Sequence, residues 1–237
     1  MNTPPIGIRV GIVDDQALVR IGFRMLLEAE PGIDVVGKAA DGRGAIELAR
    51  THDLDVMLMD VRMPGVDGIV ATETIVSTVS HGGAAPPRII VLTTFDLDEY
   101  AFAALRAGAS GFLLKDARPH ELITAIRTVH AGDASLAPRV TRRMIELFAA
   151  RLPTPKALSD RGAMVLATLT PREREVLVAV AQGRSNSEIA SAFFLSESTV
   201  KTHVGRVLQK LGARDRVQLV IFAYENALLP APGEAAS

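Results

Sequence analysis

The stretch IRVGIVDD, Ile8 to Asp15, decides the fold. Apart from Arg9 it is apolar and β-branched until it stops at two adjacent carboxylates, Asp14 and Asp15. A strand without polar alternation is buried on both faces, as in a parallel sheet covered by helices. Working outward, the same unit recurs. A helix is predicted over Ala17 to Ala29, with Leu18, Ile21, Met25 and Leu26 at helical spacing as its apolar face. Strands are expected at Val35–Ala39, Val56–Met59, Ile89–Leu92 and Gly111–Leu114. Helices are expected at Gly44–Thr51, Gly68–Ser80, Glu99–Ala107 and Pro119–Ala131. HGGAAPP, His81 to Pro87, is a breaker-rich loop before the fourth strand. Five strand–helix repeats with right-handed crossovers give a doubly wound, five-stranded parallel sheet. Ligands of such a sheet sit beyond the carboxyl ends of its strands.

The chain has 237 residues, enough for one large domain or two ordinary ones. It has no Cys, which excludes thiol catalysis, disulfides and cysteine-ligated metal centres. That composition fits a reducing compartment, and the expected location is the cytoplasm. The amino terminus lacks a signal-peptide pattern, and no run of about 18 apolar residues offers a membrane span. The formal net charge of −1 hides a split. Met1 to His130 carries 12 Lys and Arg against 17 Asp and Glu; Arg161 to Leu229 carries 9 against 6. An acidic front and a basic back point to different partners.

The ends of the predicted strands carry Asp14, Asp15, Asp60, Thr93 and Lys115, which the fold should gather into one site. Carboxylates packed together repel, and a divalent cation offsets that repulsion. An all-oxygen donor set favours Mg²⁺. Lys115 can neutralise a phosphoryl group, and Thr93 can donate its hydroxyl to the same group. The set suits phosphoryl transfer to a carboxylate, where positioning and charge neutralisation dominate.

VDDQALVR (Val13–Arg20), MDVRMPGVDG (Met59–Gly68), LTTF (Leu92–Phe95) and GFLLKD (Gly111–Asp116) resemble a response-regulator receiver domain. The resemblance covers Ile8 to about Ala131 and implies a flavodoxin-like sheet. It implies that Asp60 is the phosphoacceptor. Asp15, Asp60 and the backbone carbonyl of Arg62 would ligate Mg²⁺, with Asp14 acting through water. Thr93 would be the switch hydroxyl, paired with an aromatic ring on strand five. This chain has Phe112 where many receivers place Tyr, so the polar part of that coupling is missing. Arg62 and Phe95 resemble the positions that tune phosphoryl lifetime.

In the basic back half, Thr170, Pro171 and Glu173 form a helix start with a capping box, and Gly183 ends that helix. A short helix Ser187–Ala192, a turn at Phe193–Ser196, a helix Glu197–Leu211 capped by Ser196, and a helix from about Asp215 to Ala227 follow. These four helices include a helix-turn-helix candidate. Val200, Val204, Val207, Leu208 and Leu211 form the inner face of the third. Lys201, Arg206, Lys210 and Arg184 could neutralise phosphates, and Thr202 could meet base edges. Gly205, costly inside a helix, reflects either close approach to a groove or drift at a surface site.

LTPREREVL followed by NSEIASAFFLSESTVKTHVGRVLQKLGARDRVQLV resembles the LuxR-type helix-turn-helix of NarL/FixJ response regulators, over about Leu169 to Leu229. The resemblance implies that Glu197–Leu211 enters the major groove of double-stranded DNA. Base-facing roles fall to Lys201, Thr202 and Gly205, with Thr199, Lys201 and His203 near the backbone. Val217, Val220, Ile221 and Tyr224 would pair two DNA-binding domains, so that a homodimer reads two promoter half-sites; the alternative, that they are core within the domain, holds for some of them.

The expected organisation is a receiver over residues 1–131, a linker over 132–164 with a helix at 138–152, a DNA-binding domain over 165–229 and a disordered tail over 230–237. The expected function is a transcription factor, not a metabolic enzyme, whose phosphorylation at Asp60 by a cognate histidine kinase controls DNA binding. One rival is a phosphatase built on Asp53-Leu54-Asp55, although that pair precedes its strand. The other is a DNA-binding regulator with a degenerate receiver that acts without phosphorylation.

Overall fold

The computed structural model describes residues 7–79, 86–93, 97–131, 160–226 and 228. The expected helix 138–152, most of the expected linker 132–164, Phe95, most of the 81–87 loop and the tail 230–237 lie outside these residues. The chain divides into two compact units, Met1–Ser135 and Leu136–Ser237.

The first unit runs β1 (Ile8–Val13), α1 (Ala17–Glu28), β2 (Ile33–Ala39), α2 (Gly42–Thr51), β3 (Val56–Asp60), α3 (Gly68–Val79), β4 (Arg88–Thr93), α4 (Leu97–Arg106), β5 (Gly111–Leu114) and α5 (Pro119–His130). The strands are parallel, in the order β2-β1-β3-β4-β5. The order reverses direction at β1, so a crevice opens between the carboxyl ends of β1 and β3. Val13 pairs with Met59 in register, which sets Asp14 beside Asp60. Leu92 pairs with Asp60 and Leu114 with Thr93, which carries the alignment across to Lys115.

Strand alternation divides the core in two. Val10, Ile12, Leu58, Ile90 and Leu92 pack with Leu27 of α1 and Leu122, Ile126 and Val129 of α5. Met57, Met59, Ile89 and Val91 are buried as well, which accounts for the missing polar alternation. Asp41 caps α2 by accepting the Gly44 N–H at 2.8 Å, so that helix starts at Gly42, earlier than its sequence suggested.

Helix α1 corrects the expected apolar face. Leu18 is 84 % exposed, Ile21 49 % and Met25 69 %, while Leu27 is fully buried and Phe23 and Leu26 pack against the core. At about 100° per residue, Phe23 and Leu27 lie on the side opposite Leu18, Ile21 and Met25, with Leu26 at its edge. The helix carries two apolar stripes, and only one faces the sheet.

The second unit holds α6 (Asp160–Leu166), α7 (Pro171–Ala181), α8 (Asn186–Phe193), α9 (Glu197–Leu211) and α10 (Arg216–Glu225). Four of these starts are capped by side chains. Thr170 and Glu173 form the expected capping box, and Ser185 and Glu188 form a second. Ser196 accepts the Thr199 N–H, and Asp215 accepts those of Val217 and Gln218. Each such cap contributes about 1 kcal/mol. Gly212 ends α9 in the left-handed conformation, φ 62°. Val176, Leu177, Val180, Ile189, Val200, Val207, Leu219 and Val220 form the core. Leu166 joins that core, so α6 packs with this unit although the sequence assigned most of it to the linker. Among the described residues, no helix is long and apolar enough to cross a membrane.

Candidate functional site

The carboxyl ends of β1, β3, β4 and β5 bring together Asp14, Asp60, Thr93 and Lys115. Asp14 is fully buried, and Asp60 and Thr93 are nearly so. The Lys115 ammonium bridges Asp14 Oδ2 at 2.7 Å and Asp60 Oδ2 at 2.8 Å. Burial works against its charge, but the bonds to Asp14 and Asp60 outweigh burial and hold its pKa above the usual lysine value. Burial also raises the Asp60 pKa, opposed by the hydrogen bond and charge of Lys115 and by the Arg62 N–H. Asp60 is thus a partly desolvated carboxylate with one cation beside it.

Asp15 is exposed at the mouth of the site. Ligand oxygens of Asp14, Asp15 and Asp60 lie within 4.8 Å of one another. Three carboxylates at that spacing, oxygen donors only, fit a hard divalent cation of the Mg²⁺ type. Arg62 is exposed; its guanidinium stacks 4.9 Å from the Tyr100 ring centre on α4. No local pattern announces that contact, because the two residues belong to different repeats. Thr93 accepts the Lys115 N–H at its carbonyl, 2.7 Å away, so these two residues are tied through the backbone. Phe112 is 3 % exposed. Its ring is therefore buried in this conformation. Gly68 stands where an added Cβ would lie 1.9 Å from the Asp60 carbonyl oxygen, so the loop after β3 can close against the phosphoacceptor candidate only with glycine there.

The rival Asp53–Asp55 pair is accounted for elsewhere. Asp55 accepts the Arg9 N–H at 2.8 Å and Asp53 pairs with the Arg9 guanidinium, at the opposite ends of β1 and β3 from the acidic cluster. These two carboxylates fasten strand starts, away from the acidic cluster.

On α9, Lys201, Thr202, Gly205 and Arg206 are exposed along the helix, with Thr199 and His203 half-buried. The Thr202 hydroxyl donates to the Ser198 carbonyl at 3.0 Å and keeps its methyl outward-accessible. An added Cβ at Gly205 would meet nothing within 4 Å, so no packing inside the protein requires glycine there. His203 Nδ1 is enclosed without a hydrogen-bond partner among the described residues.

Two sequence expectations meet contacts inside the chain. Lys210, nominated as a phosphate contact, pairs with Glu173 Oε2 at 2.7 Å and donates to the Thr168 carbonyl at 3.0 Å. On α10, Val217, Val220 and Ile221 are buried within the chain, with Val220 in the core cluster. These three are core within the chain and present no exposed pairing face. Tyr224 is half-buried, and burial pushes its hydroxyl pKa up to about 12.

Residues 10–127 match the response regulator receiver domain family, and residues 167–223 match the bacterial regulatory proteins of the luxR family. An uncharacterized transcriptional regulatory protein of Bacillus subtilis (strain 168), YxjL, is 44 % identical over 223 residues, covering 94 % of this chain and 97 % of the relative. The transcriptional regulatory protein LiaR of the same strain is 38 % identical over 222 residues, covering 94 % and 99 %. Among solved structures, the two-component response regulator RcsB in complex with DNA aligns at a TM-score of 0.52 and 26 % identity, covering 92 % of this chain and 98 % of that one.

Proposed function

Because the chain belongs to the response regulators that join a receiver to a LuxR-type DNA-binding domain, we propose that phosphorylation of Asp60 controls its binding to DNA. The observation that carries this reading is the convergence of Asp14, Asp60 and Lys115 within ion-pair distance at the strand ends. A cognate histidine kinase is the phosphodonor. An Asp60 carboxylate oxygen attacks phosphorus, the bond from phosphorus to the kinase imidazole nitrogen breaks, and that nitrogen keeps the electron pair. The product is an acyl phosphate on Asp60.

Asp14, Asp15 and Asp60, with the Arg62 carbonyl, would hold Mg²⁺. When bound, that ion neutralises charge on the phosphoryl group. Lys115 already stands 2.8 Å from Asp60 and can pair with a phosphoryl oxygen in place of the carboxylate. Thr93 turns its hydroxyl toward the same group, and the change reaches β5 through its bond to the Lys115 N–H. Such a shift biases a two-state element.

Helix α9 is the element that enters the major groove. Lys201 and Arg206 supply positive charge, Thr202 supplies a methyl and a hydroxyl, and Gly205 lets the helix approach closely. Support comes from their exposure and from the DNA-bound form of RcsB. Two copies on two half-sites would supply the affinity that one modestly basic domain lacks. Their contact uses residues other than Val217, Val220 and Ile221. The complete acidic set with its lysine disfavours the rival of a degenerate receiver.

Labelling with acetyl phosphate tests the phosphoacceptor. The protein should take up one phosphoryl group in a Mg²⁺-dependent way, and Asp60→Asn should take up none. Undiminished labelling of Asp60→Asn would overturn the assignment.

A further inference from the structure

Lys210 lies on the helix that reads DNA, it is basic, and it sits in the last turn of that helix. These features make it look like one more phosphate ligand. Its surroundings say otherwise. Its ammonium reaches inward to Glu173 Oε2 at 2.7 Å and to the Thr168 carbonyl at 3.0 Å. Glu173 is 4 % exposed, so this carboxylate is buried in the first turn of α7. The same Oε2 accepts the Thr170 N–H at 2.8 Å, which closes the capping box of α7. One carboxylate thus fastens the start of α7 and the end of α9 together.

The chemistry favours keeping this contact when DNA arrives. Moving the ammonium to a phosphate would leave a buried carboxylate without its cation, the costly way to break such a pair. Apolar contacts also join the helices, with Val176, Leu177 and Val180 of α7 in one cluster with Val200 and Val207 of α9. Apolar packing is non-directional and tolerates small slides. A charge-assisted bond near the end of α9 is directional and resists rotation of the helix about its own axis.

We propose that Lys210 is a positioning residue: held by Glu173 and the Thr168 carbonyl, it sets the rotation and pitch of α9 against α7 and makes no phosphate contact. The proposal rests on the reading of α9 as the helix that enters the groove. It separates two kinds of basic residue on one helix. Lys201 and Arg206 face the polyanion, while Lys210 aims them.

The test uses the full chain and two duplexes: one recovered by selection from a random-sequence pool, and the same duplex scrambled. Both are titrated over a series of NaCl concentrations, at a temperature where circular dichroism shows each variant folded. Lys210→Met should weaken binding to the selected duplex by roughly tenfold, the scale of coupling between contacting residues, and leave the scrambled duplex unchanged. The slope of log affinity against log salt should not move. Glu173→Gln, at a buried side chain, should give the same pattern, and the double variant should be no worse than either single one. Lys210→Gln keeps a donor without the charge and should recover part of the discrimination; it also carries the test if Lys210→Met does not fold.

An equal loss on both duplexes, with the slope falling by about 1, would make Lys210 a phosphate ligand and overturn the proposal. Unchanged affinities in the folded variants would reduce the pair to a stabilising contact, and overturn it equally. Lys201→Ala separates the underlying reading: if it too leaves both affinities and the slope unchanged, α9 is not the DNA-reading helix and the proposal falls with that reading.

Discussion

Asp60 and Glu173 are both buried carboxylates paired with a lysine, yet they are tuned in opposite directions. Burial dominates at Asp60 and raises its pKa, whereas the bonds from Lys210 and the Thr170 N–H dominate at Glu173 and lower its pKa to about 2 from 4.5. The first environment leaves a carboxylate that is incompletely compensated and suited to accept an electrophile. The second locks its charge in place. A depressed carboxylate contributes stability above its unfolded pKa and loses that contribution as pH falls through the folded value. Stability should therefore decline between pH 4.5 and 2 more steeply in the wild type than in Glu173→Gln. Acid unfolding curves with the same slope in both would contradict this tuning. Asp60, Lys115 and Glu173 were all legible as important from their places in strand ends and a capping box. The pairing of Glu173 with Lys210 was not, because no local pattern signals a bond between helices that are neighbours only in space.

At the scale of elements, the periodicity of β1 to β5 announced a parallel sheet because strands buried on both faces carry apolar residues at consecutive positions. Helix α1 shows the limit of the same method. Its two apolar stripes satisfy helical spacing equally well, and only packing distinguishes Phe23, Leu26 and Leu27 from exposed Leu18, Ile21 and Met25. Helix α10 errs in the other sense, since Val217, Val220 and Ile221 read as an interface and are spent on the interior. Two substitutions examine the loops that set these elements. Gly68→Ala puts a Cβ 1.9 Å from the Asp60 carbonyl oxygen. Overpacking of this kind costs about 1–3 kcal/mol, so the melting temperature should fall. An unchanged value would show that the loop relaxes freely. In the turn between α8 and α9, Phe194 holds φ 55° and is 96 % exposed. Left-handed backbone costs an L residue roughly 1–2 kcal/mol and Asn less, so Phe194→Asn should raise stability. A lowered melting temperature would mean that the ring makes a stabilising contact.

At the scale of the whole molecule, the acidic first unit and the basic second unit divide the labour that a net charge of −1 conceals. Each unit has its own core, and on the proposed reading phosphorylation of Asp60 acts by shifting which states of the chain or of its dimer are populated. That is a population shift, and a shift can be only as large as the difference in free energy that phosphorylation makes between the arrangements. The central claim is that this difference is felt at the DNA. It is tested most directly by the affinity of the full chain for a selected duplex, measured with and without acetyl phosphate and Mg²⁺, in the wild type and in Asp60→Asn. The account predicts that acetyl phosphate tightens binding of the wild type and leaves Asp60→Asn unchanged. Equal affinity of the wild type under both conditions, with Asp60 demonstrably phosphorylated, would contradict it.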